Sequence, residues 1–317
     1  MKPIIIAECS QNHNGDQEIL KRMIHTAAEN GADYVKIQAI RSKDLSYRER
    51  FEQGLEEGGV VKVIKRPYQP EFERLQKLDL SIEQERWFVE ECKIAGIKSM
   101  TTTFTRLAVN ELKDMGYDAI KIASYDCASL PLLEDVKGVW DKIFISTGST
   151  YNEEIEAAAN ILKGHDFEFL HCVTIYPTPL EELHLNRLKF LQQYTPKVGY
   201  SDHSKPAETG LLASKIALAL GASCIERHYT ILEAHESKDG PVSINPDQVR
   251  ELRTFADMDN QKQWELIKTE LPNWEITLGD ANRAMSDVEL LNRDYYRGRF
   301  ANKINEMMIY NWEDFDI

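Results

Sequence analysis

Eight short apolar runs separated by amphipathic stretches constrain this chain more than any other feature of its sequence. The runs are Pro3–Ala7, Asp33–Gln38, Ile97–Thr103, Asp118–Ala123, Lys142–Thr147, Phe167–Cys172, Lys197–Tyr200 and Ser223–His228. Each has strand length, and helical periodicity fills much of the rest: Gln17–Asn30, Ile82–Ala95, Arg106–Met115, Asn152–Leu162, Glu182–Tyr194 and Ala207–Leu220. Strands that alternate with helices pair in parallel, and eight repeats suggest closure into a (β/α)8 TIM barrel, an α/β fold. A doubly wound open sheet is the competing architecture, but no GxGxxG follows the first run. A barrel takes about 250 residues, so the 317 residues leave room for a short C-terminal extension. The expected division is a barrel over 1–256 and an extension over 257–317.

Local punctuation agrees with this reading. Ser81 and Gln84 form a capping-box pattern at a helix start. Gly31, Gly96, Gly116 and Gly221 each follow a helical stretch, where a left-handed backbone costs glycine least. The connection Ile40–Leu80 is unusually long, and connections of that length are commonly functional or mobile.

Composition narrows the function classes. A net charge of −14 argues against general nucleic-acid binding but leaves a small anionic ligand open. No apolar run reaches the roughly 20 residues of a membrane span, and no secretory leader is visible at Lys2–Glu8. The five cysteines are scattered and form no CxxC pair, which fits a reducing cytoplasm rather than a disulfide scaffold.

The polar residues lie where the runs end, at the face where barrels build active sites. These ends carry Glu8 with Asn12-His13-Asn14-Gly15-Asp16, Lys36 and Gln38, Thr101–Thr103, Lys121 with Ser124 and Asp126, and Ser146–Ser149. His171, Ser201-Asp202-His203 and Glu226-Arg227-His228 complete the set. Lys36 and Lys121 lie within apolar strands, where an ammonium is costly without an anion. They suit a ligand with a phosphate and a carboxylate; pairing with Glu8 or Glu226, purely to hold the interior, is the structural alternative. His171 and His203 close successive strands and, as neutral imidazoles, suit a divalent transition metal. The Asn12–Asp16 loop reads either as functional or as a capped turn.

Seven segments, in this order, resemble the sialic acid synthase (N-acetylneuraminate synthase) family. They are Ile6–Glu8 with Asn12–Asp16, Gly31–Gln38, Lys121–Ser124, Ser146–Gly148, Leu170–Cys172 with Tyr176–Pro179, Gly199–Ser204 and Ile225–Thr230. The resemblance implies condensation of phosphoenolpyruvate with N-acetylmannosamine or a related amino-sugar aldehyde, giving phosphate and a nine-carbon 2-keto acid. It implies a catalytic set of Glu8, Lys121, His171 and His203, with Mn²⁺ or a similar divalent metal on the two histidines. Phosphoenolpyruvate would be held by Lys36, Thr102, Lys121 and Ser124, and Gln38 would sit near the acceptor. Asp126, Ser149, Tyr176, Asp202 and Arg227 complete the expected substrate-binding residues.

The resemblance also implies a homodimer, in which an antifreeze-like C-terminal domain lends an arginine to the sugar. Here Leu278 through Asp316 looks like only the linker and opening of that domain, with Arg297 or Arg299 as the available arginines. Asp126 stands where the family often has glutamate, and Val242 follows Gly240-Pro241 where an acidic residue is usual. Two other readings stay open: a related synthase acting on a phosphorylated sugar, and a non-catalytic sugar-binding barrel. The former requires a second basic cluster, and none is found among the strand ends.

Overall fold

The computed structural model describes residues 2–315. Eight parallel strands close into a barrel: β1 (Ile4–Ser10), β2 (Tyr34–Gln38), β5 (Lys98–Thr103), β6 (Ala119–Ile122), β7 (Lys142–Ser146), β8 (Asp166–Cys172), β9 (Val198–Asp202) and β10 (Cys224–His228). All eight expected runs are strands, displaced by a few residues at most. Two small antiparallel hairpins lie outside the barrel: β3 (Leu55–Glu57) with β4 (Val60–Val63), and β11 (Asn302–Ile304) with β12 (Met307–Ile309).

Period-two alternation sorts the strand residues between two environments. Outward residues such as Ile5, Val35, Ile120, Ile143, Phe169 and Ile225 pack under the surrounding helices. Inward residues form a separate apolar plug of Ile6, Tyr34, Met100, Ala119, Phe144, Leu170 and Cys224. Gly199, on β9, faces Cys224 so closely that a Cβ there would sit 2.7 Å from the Cys224 carbonyl oxygen.

The helices form where their caps dictate. Ser81 and Gln84 complete the expected capping box for Ile82–Ala95, and Gly96 ends that helix in the left-handed region at φ 71°. Two expected helices are cut short. Ala207–Leu220 divides into Pro206–Thr209 and Leu212–Ala219 at Gly210, whose φ is 57°. Glu182–Tyr194 shrinks to Arg187–Leu191, with His184 in the left-handed region at φ 50°. Further helices lie at Tyr68–Gln76, Leu130–Val139, Pro246–Ala256, Asn260–Glu270 and Asp287–Tyr296.

The C-terminal segment folds back across the mouth of the barrel. Ser46 Oγ donates to the Gly298 carbonyl (2.5 Å), and Leu45 bridges to Phe300. Asn311 Nδ2 donates to the Phe104 carbonyl (2.8 Å) and to Asp126 Oδ1 (3.0 Å), while Asn302 Oδ1 accepts from Leu107 N (3.0 Å). Asp316, the last residue of the expected antifreeze-like opening, lies outside the described residues.

Because the plug is closely packed, Gly199→Val should overfill it and destabilise the fold by about 1–3 kcal/mol. Urea denaturation followed by circular dichroism measures the loss; unchanged stability would mean that the interior can yield at this point.

Candidate active site

One layer above the apolar plug, every barrel strand contributes one inward residue: Glu8, Lys36, Thr102, Lys121, Ser146, Cys172, Ser201 and Glu226. All line a cavity of ≈ 370 Å³ at the mouth. Its charges alternate. Lys36 contacts Glu8 and lies 3.6 Å from Glu226. Lys121 donates to both Glu226 oxygens, at 2.9 and 3.2 Å. Lys36 also donates to Thr102 Oγ1 (3.0 Å), and Ser201 donates to Glu226 (2.9 Å). Burial raises the Glu226 pKa, but Lys121 and Lys36 outweigh it and hold the carboxyl well below its usual range. Burial also draws Lys36 down to about 7, opposed by Glu226 and reinforced by the Lys121 ammonium. The structural alternative for the two lysines is therefore met in this state: each has a carboxylate partner.

Above this layer lie Gln38, Ser124, Asp126, Tyr176, His203 and His228, with Tyr125 and the tail residues Tyr296, Gly298, Arg299 and Phe300. Tyr296 stacks on Tyr125 with ring centroids 5.0 Å apart, and Tyr176 lies 4.2 Å from the His203 ring. Burial raises the Asp126 carboxyl above its ordinary value despite hydrogen bonds from Asn311 and Ser129. Ser146 Oγ is buried without a hydrogen-bond partner among the described residues. An unsatisfied hydroxyl on a cavity wall is a ready ligand contact.

Four expected site residues face elsewhere, and the alternation explains three of them. Cys172 points inward, so His171 points outward; its Nε2 lies 2.7 Å from the Leu183 carbonyl and its ring packs on Tyr200. Glu226 and His228 point inward, which turns Arg227 outward onto Asp202 (2.6 Å), with both side chains fully buried. Ser204, Ser214 and the Val242 carbonyl complete that cluster, which braces strands against loops. Ser149 is buried beneath the C-terminal segment, where its hydroxyl meets Thr174 and the Glu289 carbonyl (3.2 Å). The Asn12–Asp16 segment is a capped turn. Asp16 accepts from Glu18 and Ile19, Asn12 donates to the Tyr229 carbonyl, and Gly15 (φ 77°) would place a Cβ 2.4 Å from the Lys77 carbonyl oxygen.

His228 takes the place expected of His171. The His203 and His228 rings are 5.4 Å apart, and Asp239 Oδ2 lies 3.6 Å from His228 Nδ1. Burial lowers both histidines, His203 to about 3, so each presents a neutral imidazole with an available lone pair. His228 Nδ1 is buried and has no hydrogen-bond partner among the described residues. His203 Nδ1 faces the Val173 carbonyl at 3.3 Å, which leaves Nε2 uncommitted. This donor set fits a divalent transition metal with positions left over for substrate oxygens. Among the described residues, no group of three or more His, Cys, Asp or Glu side chains is arranged to hold a metal by itself. Stepping by two along β10 from Cys224 would have placed Glu226 and His228 together on the inner face.

The sequence profile of the NeuB family matches residues 23–263. The chain belongs to the NeuB family. The N,N'-diacetyllegionaminic acid synthase of Campylobacter jejuni is 33% identical over 267 residues, which are 80% of this chain and 75% of that protein. The pseudaminic acid synthase of the same species is 29% identical over 306 residues, 95% of this chain and 82% of that one. Among solved structures, the N-acetylneuraminic acid synthetase of Leptospira borgpetersenii superposes with a TM-score of 0.69 at 28% identity, covering 93% of this chain and 91% of that one. Among the described residues of this NeuB-family chain, no helix is long and apolar enough to cross a membrane.

The outward His171 leads to a test in pH. Burial lowers it to about 3, from an ordinary value of 6.5. Below pH 6.5 the unfolded chain takes up a proton here that the folded chain refuses. Stability is therefore full above 6.5 and falls towards pH 3, at up to ~1.4 kcal/mol per pH unit for this group. His171→Asn should flatten that part of the acid slope in urea titrations between pH 7 and 4.5; an unaltered slope would show that His171 does not titrate this way.

Proposed function

We propose that the chain condenses phosphoenolpyruvate with an amino-sugar aldehyde, N-acetylmannosamine or a relative, and with water, to give a nine-carbon 2-keto acid and phosphate. The observation that carries this reading is the inward layer of Glu8, Lys36, Lys121 and Glu226, ringed by hydroxyls and overlooked by His203 and His228. Family membership supports the reaction class.

The layer is neutral as it stands, two lysines against two glutamates. An incoming phosphoenolpyruvate therefore competes with the carboxylates for the ammonium groups. Lys121 stays with Glu226 through two hydrogen bonds. Lys36, with Thr102, turns from Glu8 to the ligand, and a buried ammonium near neutral pKa becomes fully charged beside an anion. The hydroxyls of Ser124 and Ser146 complete the phosphate and carboxylate contacts. Glu8, released from Lys36, then faces the enol carbon that turns electrophilic.

C3 of the enol attacks the aldehyde carbon, which forms the C–C bond and leaves an alkoxide on the sugar and positive charge at C2. His203 and His228 would hold a divalent metal, Mn²⁺ by expectation, which when bound supplies Lewis-acid polarisation of the aldehyde oxygen. Glu8 orients water onto C2 and takes its proton. The tetrahedral product expels phosphate as its C–O bond breaks; the proton that Glu8 took passes to the sugar alkoxide, the C2 hydroxyl proton leaves with the phosphate, and Lys36 and Lys121 offset the departing charge. Gln38, Asp126 and Tyr176 line the side of the cavity where the acceptor's hydroxyl and amide groups would lie. Asp202, Arg227 and Ser149 act at a distance, by holding the loops that carry these groups.

The test is phosphate release from phosphoenolpyruvate with Mn²⁺ across a panel of amino sugars. Release should fall by about 10²-fold or more in Glu8→Gln and in His228→Ala, as expected for lost acid–base and electrostatic groups. His171→Asn should stay within about threefold of the parent, because its loss is structural rather than chemical. A metal-loaded, folded protein that releases no phosphate with any acceptor would overturn the proposal and favour a sugar-binding barrel.

A further inference from the structure

Ser10 stands where β1 breaks its register, and it touches two parts of the site at once. β1 pairs evenly with β2 as far as Glu8 and Lys36, then slips by a residue between Glu8 and Ser10. Ser10 takes the left-handed region at φ 48°, which is costly for any residue but glycine. Strain of this kind persists where the surroundings hold the residue from more than one side. Here they do.

The bend turns the Ser10 N–H onto the Glu8 carboxylate, 2.5 Å from Oε1, while Lys36 holds the other oxygen. On the opposite side, Ser10 Oγ donates to Asp239 Oδ2 (2.8 Å). That same oxygen lies 3.6 Å from His228 Nδ1, a buried nitrogen with no nearer hydrogen-bond partner among the described residues. Asp239 is itself fixed from behind. Its carbonyl accepts from Ser243 Oγ (2.7 Å), which in turn accepts from Asn12 Nδ2 (2.9 Å). A Cβ on the adjoining Gly240 would run into the Ala234 carbonyl, so the loop is closed tightly on itself. Ser10 thus joins β1 to the connection after β10 by a side chain that glycine, the easier residue for this backbone, would lack.

Each end of the bridge meets a need of the reaction. When Lys36 turns to phosphoenolpyruvate, Glu8 keeps only the Ser10 N–H of these two contacts. At the other end, a carboxylate facing Nδ1 favours the His228 tautomer with its proton there, which leaves the Nε2 lone pair for a metal. His203 is disposed alike, with Nδ1 towards the Val173 carbonyl. We propose, resting on the condensation reading, that Ser10 is a positioning residue: it holds Glu8 through its N–H and sets the His228 tautomer through Asp239, so that the base and the metal-binding imidazole share one frame.

Proton–nitrogen correlation spectra of the metal-free protein with isotope-labelled histidines read the tautomer directly, with His228 assigned by its loss in His228→Gln. The parent should carry the His228 proton on Nδ1, and Asp239→Ala and Ser10→Gly should both lose that preference. Ser10→Gly relieves the backbone and removes only the hydroxyl, so it should fold at least as stably as the parent. Its kcat for phosphate release should nevertheless fall by about tenfold, with the KM for phosphoenolpyruvate within about threefold. A residue needed only for the turn would give the reverse, a glycine variant as active as the parent. Parental turnover in Ser10→Gly, or a parental His228 tautomer in Asp239→Ala, overturns the proposal. If the parent releases no phosphate, the condensation reading fails and the spectra decide the bridge alone: a tautomer that changes in Ser10→Gly keeps it, and one that does not removes it.

Discussion

The alternation Glu8–Lys36–Glu226–Lys121 inside the barrel is the constraint on which the rest of the structure depends. Four charged groups withdrawn from water tolerate one another only in this order, since any one left alone would cost several kcal/mol. The layer cannot pack as a core, so the apolar plug of Ile6, Met100, Phe144 and Leu170 seals the barrel beneath it. It also cannot lie open without the charges being screened apart. The long connection, the loop after β10 and the C-terminal segment together roof it. The floor is thus neutral yet densely charged, with each ammonium matched by a carboxylate.

Much of this was legible in the sequence, and the boundary of what was legible has a physical reason. The eight strands were readable because a parallel strand buried on both faces is a continuous apolar run. The same continuity hides which residue faces which way. In Phe167–Cys172 both faces are largely apolar, so nothing local distinguishes His171 from Cys172, and the histidine was assigned to the wrong side. In β10 the distinction was available, because Cys224, Glu226 and His228 share one face while Ile225 and Arg227 share the other. Asp202 and Arg227 look like ligand groups from their chemistry; their role as a buried brace depends on a contact 25 residues apart in sequence, which no local pattern encodes.

The outer wall of the cavity was illegible for a related reason. Arg74 lies on a short helix, whereas Lys238 and Arg299 lie in irregular connections, and they meet only because three excursions end at one place. The long connection drew attention by length alone. Its product is ordered structure: a hairpin, two short helices and the arginine that faces the cavity. The segment from Leu278 to Asp316 resembles the linker and opening of an antifreeze-like domain, and its described residues also form a strap across the barrel mouth, held through Ser46, Leu107 and Asn311.

That strap separates two kinds of evolutionary freedom. The floor is shared among eight strands, so a change at one position disturbs partners on several others. The wall between Tyr296 and Phe300 belongs to one short stretch, tethered at both ends by backbone and amide contacts that do not depend on which side chains face the cavity. A lineage could therefore reshape this wall through a few codons, while the charged floor below stays untouched. In such an architecture, divergence among relatives is expected to concentrate in the strap and to spare the floor.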